Sequence, residues 1–189
     1  MIGLKDLKST LTDVVTILAV RRIKFHLTGG FASSFYGEPR FTQDIDIVIR
    51  ISLGTSLDQL LSDLAEKFII DPIAIEDAVQ RKGIFQALHE DTMIKVDFHV
   101  GEAIEGELER SQSEEVLPGV LVPLVSKEDA ILSKLIWVSK GSYKSKQDIK
   151  MMLKRRGDID LTYLGNQAAK LGVQNILSEL SAELTAEEI

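Results

Sequence analysis

Apolar residues recur at helical spacing through the first segment, at Leu4, Leu7, Leu11, Val14, Val15 and Leu18. That period predicts an amphipathic helix over residues 4–20. The period then changes: in IKFHLT, Ile23, Phe25 and Leu27 alternate with Lys24, His26 and Thr28. Alternation predicts a half-buried strand, which ends at Gly29-Gly30. A short helix through FASSFY follows, closed by Gly37 and by Glu38-Pro39. Residues 44–50, DIDIVIR, read as a second strand, with Ile45, Ile47 and Ile49 on one face and Asp44, Asp46 and Val48 on the other. Ser56 is placed to cap a helix carrying Leu57, Leu60, Leu61, Leu64 and Phe68. The stretch IFQALHEDTMIKVDFHV predicts two antiparallel strands around the polar turn His89-Glu90-Asp91-Thr92. In its second arm Ile94, Val96, Phe98 and Val100 face one way, and Lys95, Asp97 and His99 the other.

Beyond the apolar stretch Leu121 to Val125 the texture turns helical. Ser126-Lys127-Glu128-Asp129 forms a good N-terminal cap before Ile131, Leu132, Leu135 and Ile136. Further helices fit 145–155, 160–171 and 173–184, with Gly157 and Gly172 as punctuation. The chain therefore divides near residue 125 into a sheet-and-helix core, 1–125, and a helical subdomain, 126–189. It carries no internal repeat and no low-complexity segment. The expected class is α/β or α+β: a small mixed sheet flanked by helices, with the C-terminal helical subdomain closing over it.

Composition narrows this picture. A chain of 189 residues suffices for one domain with a core, or for a core with a small appendage. Apolar residues make up 44% and charged residues 27%, the values of a soluble globular protein. No apolar run approaches the roughly 18 residues of a membrane helix, and MIGLKDLKST lacks the layout of a signal peptide. A cytoplasmic protein without a membrane partner is expected. There are no cysteines, and the three histidines are scattered, so any metal would be held by oxygen. The net charge of -7 argues against a broad nucleic-acid surface. Lys140, Lys144, Lys146, Lys150, Lys154, Arg155 and Arg156 nevertheless crowd one stretch, which reads as a solvated helix face. Acids crowd 102–115 and 179–188.

The candidate chemistry lies between residues 27 and 49. Two carboxylates at i and i+2 on a strand share a face, about 7 Å apart at their Cα atoms. Asp44 and Asp46 can thus share a divalent cation, which removes the cost of two adjacent buried carboxylates. Hard oxygen ligands suit Mg²⁺, with Mn²⁺ as its substitute, and Mg²⁺ usually arrives with substrate phosphates. Gly29-Gly30, where a strand runs into a helix, leaves backbone N–H groups open to phosphate and no Cβ in the way. Ser33 and Ser34 offer hydroxyls. Neither GxxxxGK[ST] nor GxGxxG occurs. Asp97, on the polar face of a later strand, would complete a two-metal site if its strand lay beside the first. It is also the candidate general base for an incoming hydroxyl.

These residues resemble the nucleotidyltransferase superfamily, the group that includes DNA polymerase beta. The family pattern is an apolar residue, Gly, Gly or Ser, a spacer of about a dozen residues, then Asp, apolar, Asp or Glu, apolar. Leu27-Thr28-Gly29-Gly30 and Asp44-Ile45-Asp46-Ile47 match it, with Thr28 where an apolar residue is usual. Lys134-Leu135 and Ser145-Lys146-Gln147-Asp148-Ile149 are similar to the helical segment of a bacterial and archaeal branch containing abortive-infection toxins and other minimal members. The resemblance spans residues 20–150.

It implies transfer of a nucleoside monophosphate from a nucleoside triphosphate to an acceptor hydroxyl, releasing pyrophosphate, with a metal on Asp44, Asp46 and Asp97. It implies that a helical lysine meets the triphosphate, Lys134 first and Lys146 second. Arg40 and Thr42 precede the aspartate pair as they do in such relatives, Arg40 to pair with phosphate and Thr42 to hold the turn. Asp148 would orient Lys134 or a basic neighbour. A toxin-type member would have an antitoxin partner. The acceptor stays open: a tRNA end or other RNA would favour the basic stretch, a protein hydroxyl or a small molecule such as an aminoglycoside the acidic flanks. The alternative is an inactive nucleotide-binding or interaction protein on the same fold. His26 and His99 read as strand residues with satisfied hydrogen bonds, His99 near enough to Asp97 to touch the site. Trp137 and Tyr143 read as packing, and Phe41 suits either packing or stacking.

Overall fold

The computed structural model describes residues 3–40, 42–155 and 159–187. Phe41, Arg156 and Gly157 lie outside the described residues. The sheet-forming part runs α1 (Leu4–Val20), β1 (Lys24–Leu27), α2 (Gly29–Tyr36), β2 (Asp44–Arg50), α3 (Thr55–Leu64), β3 (Phe68–Ile69), α4 (Pro72–Arg81), β4 (Ile84–His89), β5 (Lys95–Val100), α5 (Glu107–Arg110), β6 (Gln112–Leu117) and β7 (Val120–Leu124). Four helices follow: α6 (Lys127–Ser139), α7 (Tyr143–Lys154), α8 (Leu161–Lys170) and α9 (Gln174–Glu187). No helix among the described residues is long and apolar enough to cross a membrane.

The described strands form one mixed sheet in the order β3-β4-β5-β2-β1-β7-β6, larger than the small sheet expected from the alternating segments. β2 lies at its centre, antiparallel to β1 and parallel to β5. Its alternation decides the architecture. Ile45, Ile47 and Ile49 are fully buried and join one cluster with Leu11, Val14 and Leu18 of α1 and Leu57, Leu60 and Leu64 of α3. A strand has a period of two, so the carboxylates of β2 must emerge on the opposite face. The same cluster continues through Ile131, Leu135, Ile149 and Met152 to Leu164 and Leu180. It therefore crosses residue 125 without a break. α2 packs against β2, α6 and α7, and so anchors the helical part beside the polar face of the sheet.

Local departures from the periodicity have local causes. α3 is capped by Gly54, whose carbonyl accepts from Leu57 N–H at 2.8 Å, so Ser56 lies in the first turn and is not the cap. Phe68 does not continue that helix, which stops at Leu64. It is buried in β3, opposite His89 of β4. The apolar pattern assigns nothing to residues 72–81, where α4 forms behind Asp71, whose carboxylate accepts from Ile73 and Ala74 N–H. The acidic stretch near residue 115 contributes the edge strand β6. Ser126 caps α6 as its sequence predicts, accepting from Asp129 N–H at 3.2 Å.

Candidate active site

The parallel pairing of β2 with β5 sets Asp44 opposite Lys95, Asp46 opposite Asp97 and Val48 opposite His99. The register brings Asp97 to Asp46 on the shared polar face, about 4.8 Å away between strand axes. Asp44 is open to solvent, with 55% of its side chain exposed, whereas Asp46 and Asp97 keep 24% and 16%. Burial would push Asp46 up, but His99 at 3.5 Å, the Gly30 N–H at 3.4 Å and the charge of Lys134 hold it below the ordinary carboxylate range. His99 thus touches the site.

The two glycines begin α2 directly after β1. Gly29 has φ +61°, and a Cβ there would run into the Asp46 carboxylate. A Cβ on Gly30 would come within 2.5 Å of Thr42 Oγ1. Only residues without side chains let the helix start this close to the aspartate strand. The N-cap, Thr28, gives no side-chain hydrogen bond to the helix, so the first N–H groups of α2 are not claimed by a cap.

A second cluster adjoins the first. Asp148, buried on α7, holds Lys134 Nζ at 3.0 Å and Arg40 Nη2 at 3.2 Å on the same oxygen, Oδ2. The Ser33 hydroxyl lies 3.2 Å from that oxygen and 3.0 Å from the Gly29 carbonyl. Ser34 turns away to donate to the Arg40 carbonyl. Lys134, Arg40, Thr42, Gly29, Gly30, Asp44 and Asp46 all line one cleft of about 480 Å³. Ser33, Asp97 and Lys146 do not line it: Ser33 and Asp97 lie behind its wall, and the Lys146 ammonium pairs with Glu179 of α9 at 3.2 Å. A larger cavity, about 750 Å³, lies around Leu7, Phe31 and Phe35, with Arg40 and Thr42 in both walls. The smaller cleft is the candidate because it holds Asp44, Asp46 and the glycines.

As hard oxygen donors, Asp44, Asp46 and Asp97 suit a divalent cation such as Mg²⁺. Asp97 Oδ1 is buried and has no hydrogen-bond partner among the described residues, as fits an oxygen that takes a ligand from outside the chain. No three acidic or histidine side chains among the described residues already converge as a ligand set. The Lys95 ammonium stands among the carboxylates instead, 2.8 Å from Asp97 Oδ2 and 3.9 Å from Asp44 Oδ1.

Several residues depart from their sequence reading. Trp137, expected to pack, is 42% exposed at the cleft wall, with Lys140 Nζ 5.1 Å from its ring centre. Tyr143, also expected to pack, is exposed and accepts from Gln147. An aromatic ring favours burial, but both residues sit around the α6–α7 turn, outside the core stripe of either helix. His26 is not satisfied: it is buried and neither nitrogen has a hydrogen-bond partner among the described residues, with Glu107 facing it at 3.7 Å. Lys82, Lys140 and Lys144 line the cleft too, and no local pattern distinguishes them from surface lysines.

The fold is that of the nucleotidyltransferases. The fold is similar to that of the antibiotic-resistance factor ANT(2'')-Ia, at 14% identity over 95% of each chain with a TM-score of 0.56. An antigenic nucleotidyltransferase-like protein from Paracoccidioides brasiliensis is similar at 20% identity over 98% of this chain and 94% of its own, also with a TM-score of 0.56. The lincosamide antibiotic adenylyltransferase LnuA is similar at 14% identity, over 82% of this chain and 99% of its own, with a TM-score of 0.50. No curated protein matches the sequence. Residues 16–161 match the model of the nucleotidyl transferase AbiEii toxin family, type IV toxin–antitoxin system, and the chain belongs to that family.

Proposed function

We propose that the protein is a metal-dependent enzyme that moves a nucleoside monophosphate from a nucleoside triphosphate to an acceptor hydroxyl, releasing pyrophosphate. The observation that carries this reading is the register that pairs Asp46 with Asp97 beside the glycine-opened start of α2. Asp44, Asp46 and Asp97 would hold Mg²⁺ or Mn²⁺. When bound, the ion neutralises phosphate charge and acidifies the attacking hydroxyl.

The chain's own groups do the rest. The Gly29 N–H, joined by the Gly30 N–H when it leaves Asp46, meets phosphate oxygens at the positive end of α2. Lys134 and Arg40, both held by Asp148, supply positive charge to the phosphates, and Thr42 keeps the preceding turn against Gly30. Ser33 links Asp148 to the first turn of α2. The acceptor oxygen attacks the α-phosphorus while the bond from that phosphorus to the β-bridging oxygen breaks. The hydroxyl proton passes to Asp97, whose Oδ1 lacks a partner. The helical part from residue 126 closes this cleft by bringing in Lys134 and Asp148. Membership of a toxin–antitoxin family supports a cognate antitoxin as a partner.

The test incubates the protein with each α-labelled nucleoside triphosphate, Mg²⁺ or Mn²⁺, and cellular RNA, protein and small-molecule acceptors. Asp46→Asn and Asp97→Asn should each lower label transfer by at least about a hundredfold while leaving the circular dichroism spectrum unchanged. Transfer that survives in either variant overturns the assignment.

A further inference from the structure

Lys95 has no part in the reaction set out above, yet its ammonium bridges two of the three carboxylates. The bridge is a product of register. Lys95 lies opposite Asp44 across the β2–β5 pairing and two residues before Asp97 on the same face. Its Nζ is 2.8 Å from Asp97 Oδ2 and 3.9 Å from Asp44 Oδ1. Asp46 is served separately, by His99 and the Gly30 N–H. Each carboxylate thus has a cation or donor from the chain itself, which offsets the repulsion among three like charges on adjacent strands. The cover is incomplete, because Asp97 Oδ1 is buried and unpartnered.

A divalent ion held between Asp44 and Asp97 would sit where the Lys95 ammonium now bridges the two carboxylates, and it repels that ammonium. The Lys95 side chain is 35% exposed, so its head can move outward on a flexible stem. We infer that Lys95 is a built-in competitor of the metal ion: it holds Asp97 and Asp44 in the unloaded site and gives up these oxygens when the ion takes them. The displaced ammonium then finds a new partner in the triphosphate. Metal without nucleotide binds weakly, and metal and nucleotide load together.

This inference rests on the metal reading of the site, and the test separates the two. Mn²⁺ is titrated into the wild-type protein, Lys95→Met, Lys95→Arg and Asp97→Asn, with free ion counted by electron paramagnetic resonance. Each titration is run with and without a non-hydrolysable nucleoside triphosphate. Lys95→Met should bind Mn²⁺ alone on the order of tenfold tighter than wild type. Lys95→Arg should behave as wild type, and the nucleotide should strengthen Mn²⁺ binding less in Lys95→Met than in wild type. Lys95→Gln, which removes the charge but keeps a donor, repeats the measurement if methionine disturbs folding. If Asp97→Asn loses Mn²⁺ while Lys95→Met binds it no tighter than wild type, the Lys95 inference is wrong and the metal reading stands. If no variant binds Mn²⁺ with or without nucleotide, the metal reading fails and takes this inference with it.

Discussion

Burial sets His26 and Glu107 in opposite directions. It drives the His26 imidazole down to about 4, against the pull of the Asp129 charge and of the Glu107 main chain. It drives Glu107 up to about 7, although the N–H groups of Ile104 and Ala103 draw it back. Between pH 4.5 and 7 the folded chain therefore keeps a proton on Glu107 that the unfolded chain has released, and stability falls as pH rises through this window. For His26 the sign is reversed: the unfolded chain binds the proton first as pH falls below 6.5, so this contribution grows with rising pH. Glu107→Gln isolates the first effect, because His26 remains in both proteins. Relative to wild type the variant should gain on the order of 3 kcal/mol between pH 4.5 and 8, read as a widening difference in Tm. A difference that does not change with pH would show that Glu107 does not titrate in the fold. At this scale the sequence is legible where chemistry is local. Gly29-Gly30 and Asp44-x-Asp46 carry their own spacing, whereas the meetings of His26 with Glu107 and of Lys95 with Asp44 depend on partners in other elements.

Elements with a full amphipathic stripe were readable from the pattern: α1 and α6 occupy the segments their periodicity assigns. α4 was not. It is short, its Ile73 is 80% exposed, and only Ile75, Ala78 and Val79 are buried, which is too sparse a stripe to stand out. Its real signal is at the start, where Asp71 caps the helix and Pro72 occupies the first turn. Asp71→Ala should cost about 1 kcal/mol in urea unfolding, and Asp71→Asn should recover most of it. Equal loss in both variants would place the effect in the charge and not in the cap. β3 and β6 were hidden for a related reason. β3 has two residues, and the edge strand β6 leaves much of its length facing water, so neither shows sustained alternation. Strands that end a sheet owe their conformation to the neighbour they pair with.

Across the whole molecule, the division near residue 125 is a change of texture in a continuous core. Asp129 is one of the ties. Fully buried at the start of α6, it accepts two hydrogen bonds from Arg110, at 2.8 and 3.2 Å, and one from Tyr163 at 2.7 Å, joining α5, α6 and α8. Asp129→Ala strands the Arg110 guanidinium and should cost about 3 kcal/mol, the low end for such pairs because Arg110 is one-third exposed. The loss should appear in a single urea transition seen alike by Trp137 fluorescence and far-ultraviolet circular dichroism; two transitions would mean that the helical part unfolds on its own. The order of the parts along the chain bears on synthesis as well. Asp44, Asp46 and Asp97 precede Lys134 and Asp148, and β7, which pairs with β1, also comes late. A ribosome working at roughly 5–20 residues per second releases the three aspartates seconds before the groups that would steady a triphosphate. On the proposed function, a nascent chain thus carries its metal-binding aspartates before it can hold a triphosphate, and the site is complete only once α6 and α7 have emerged.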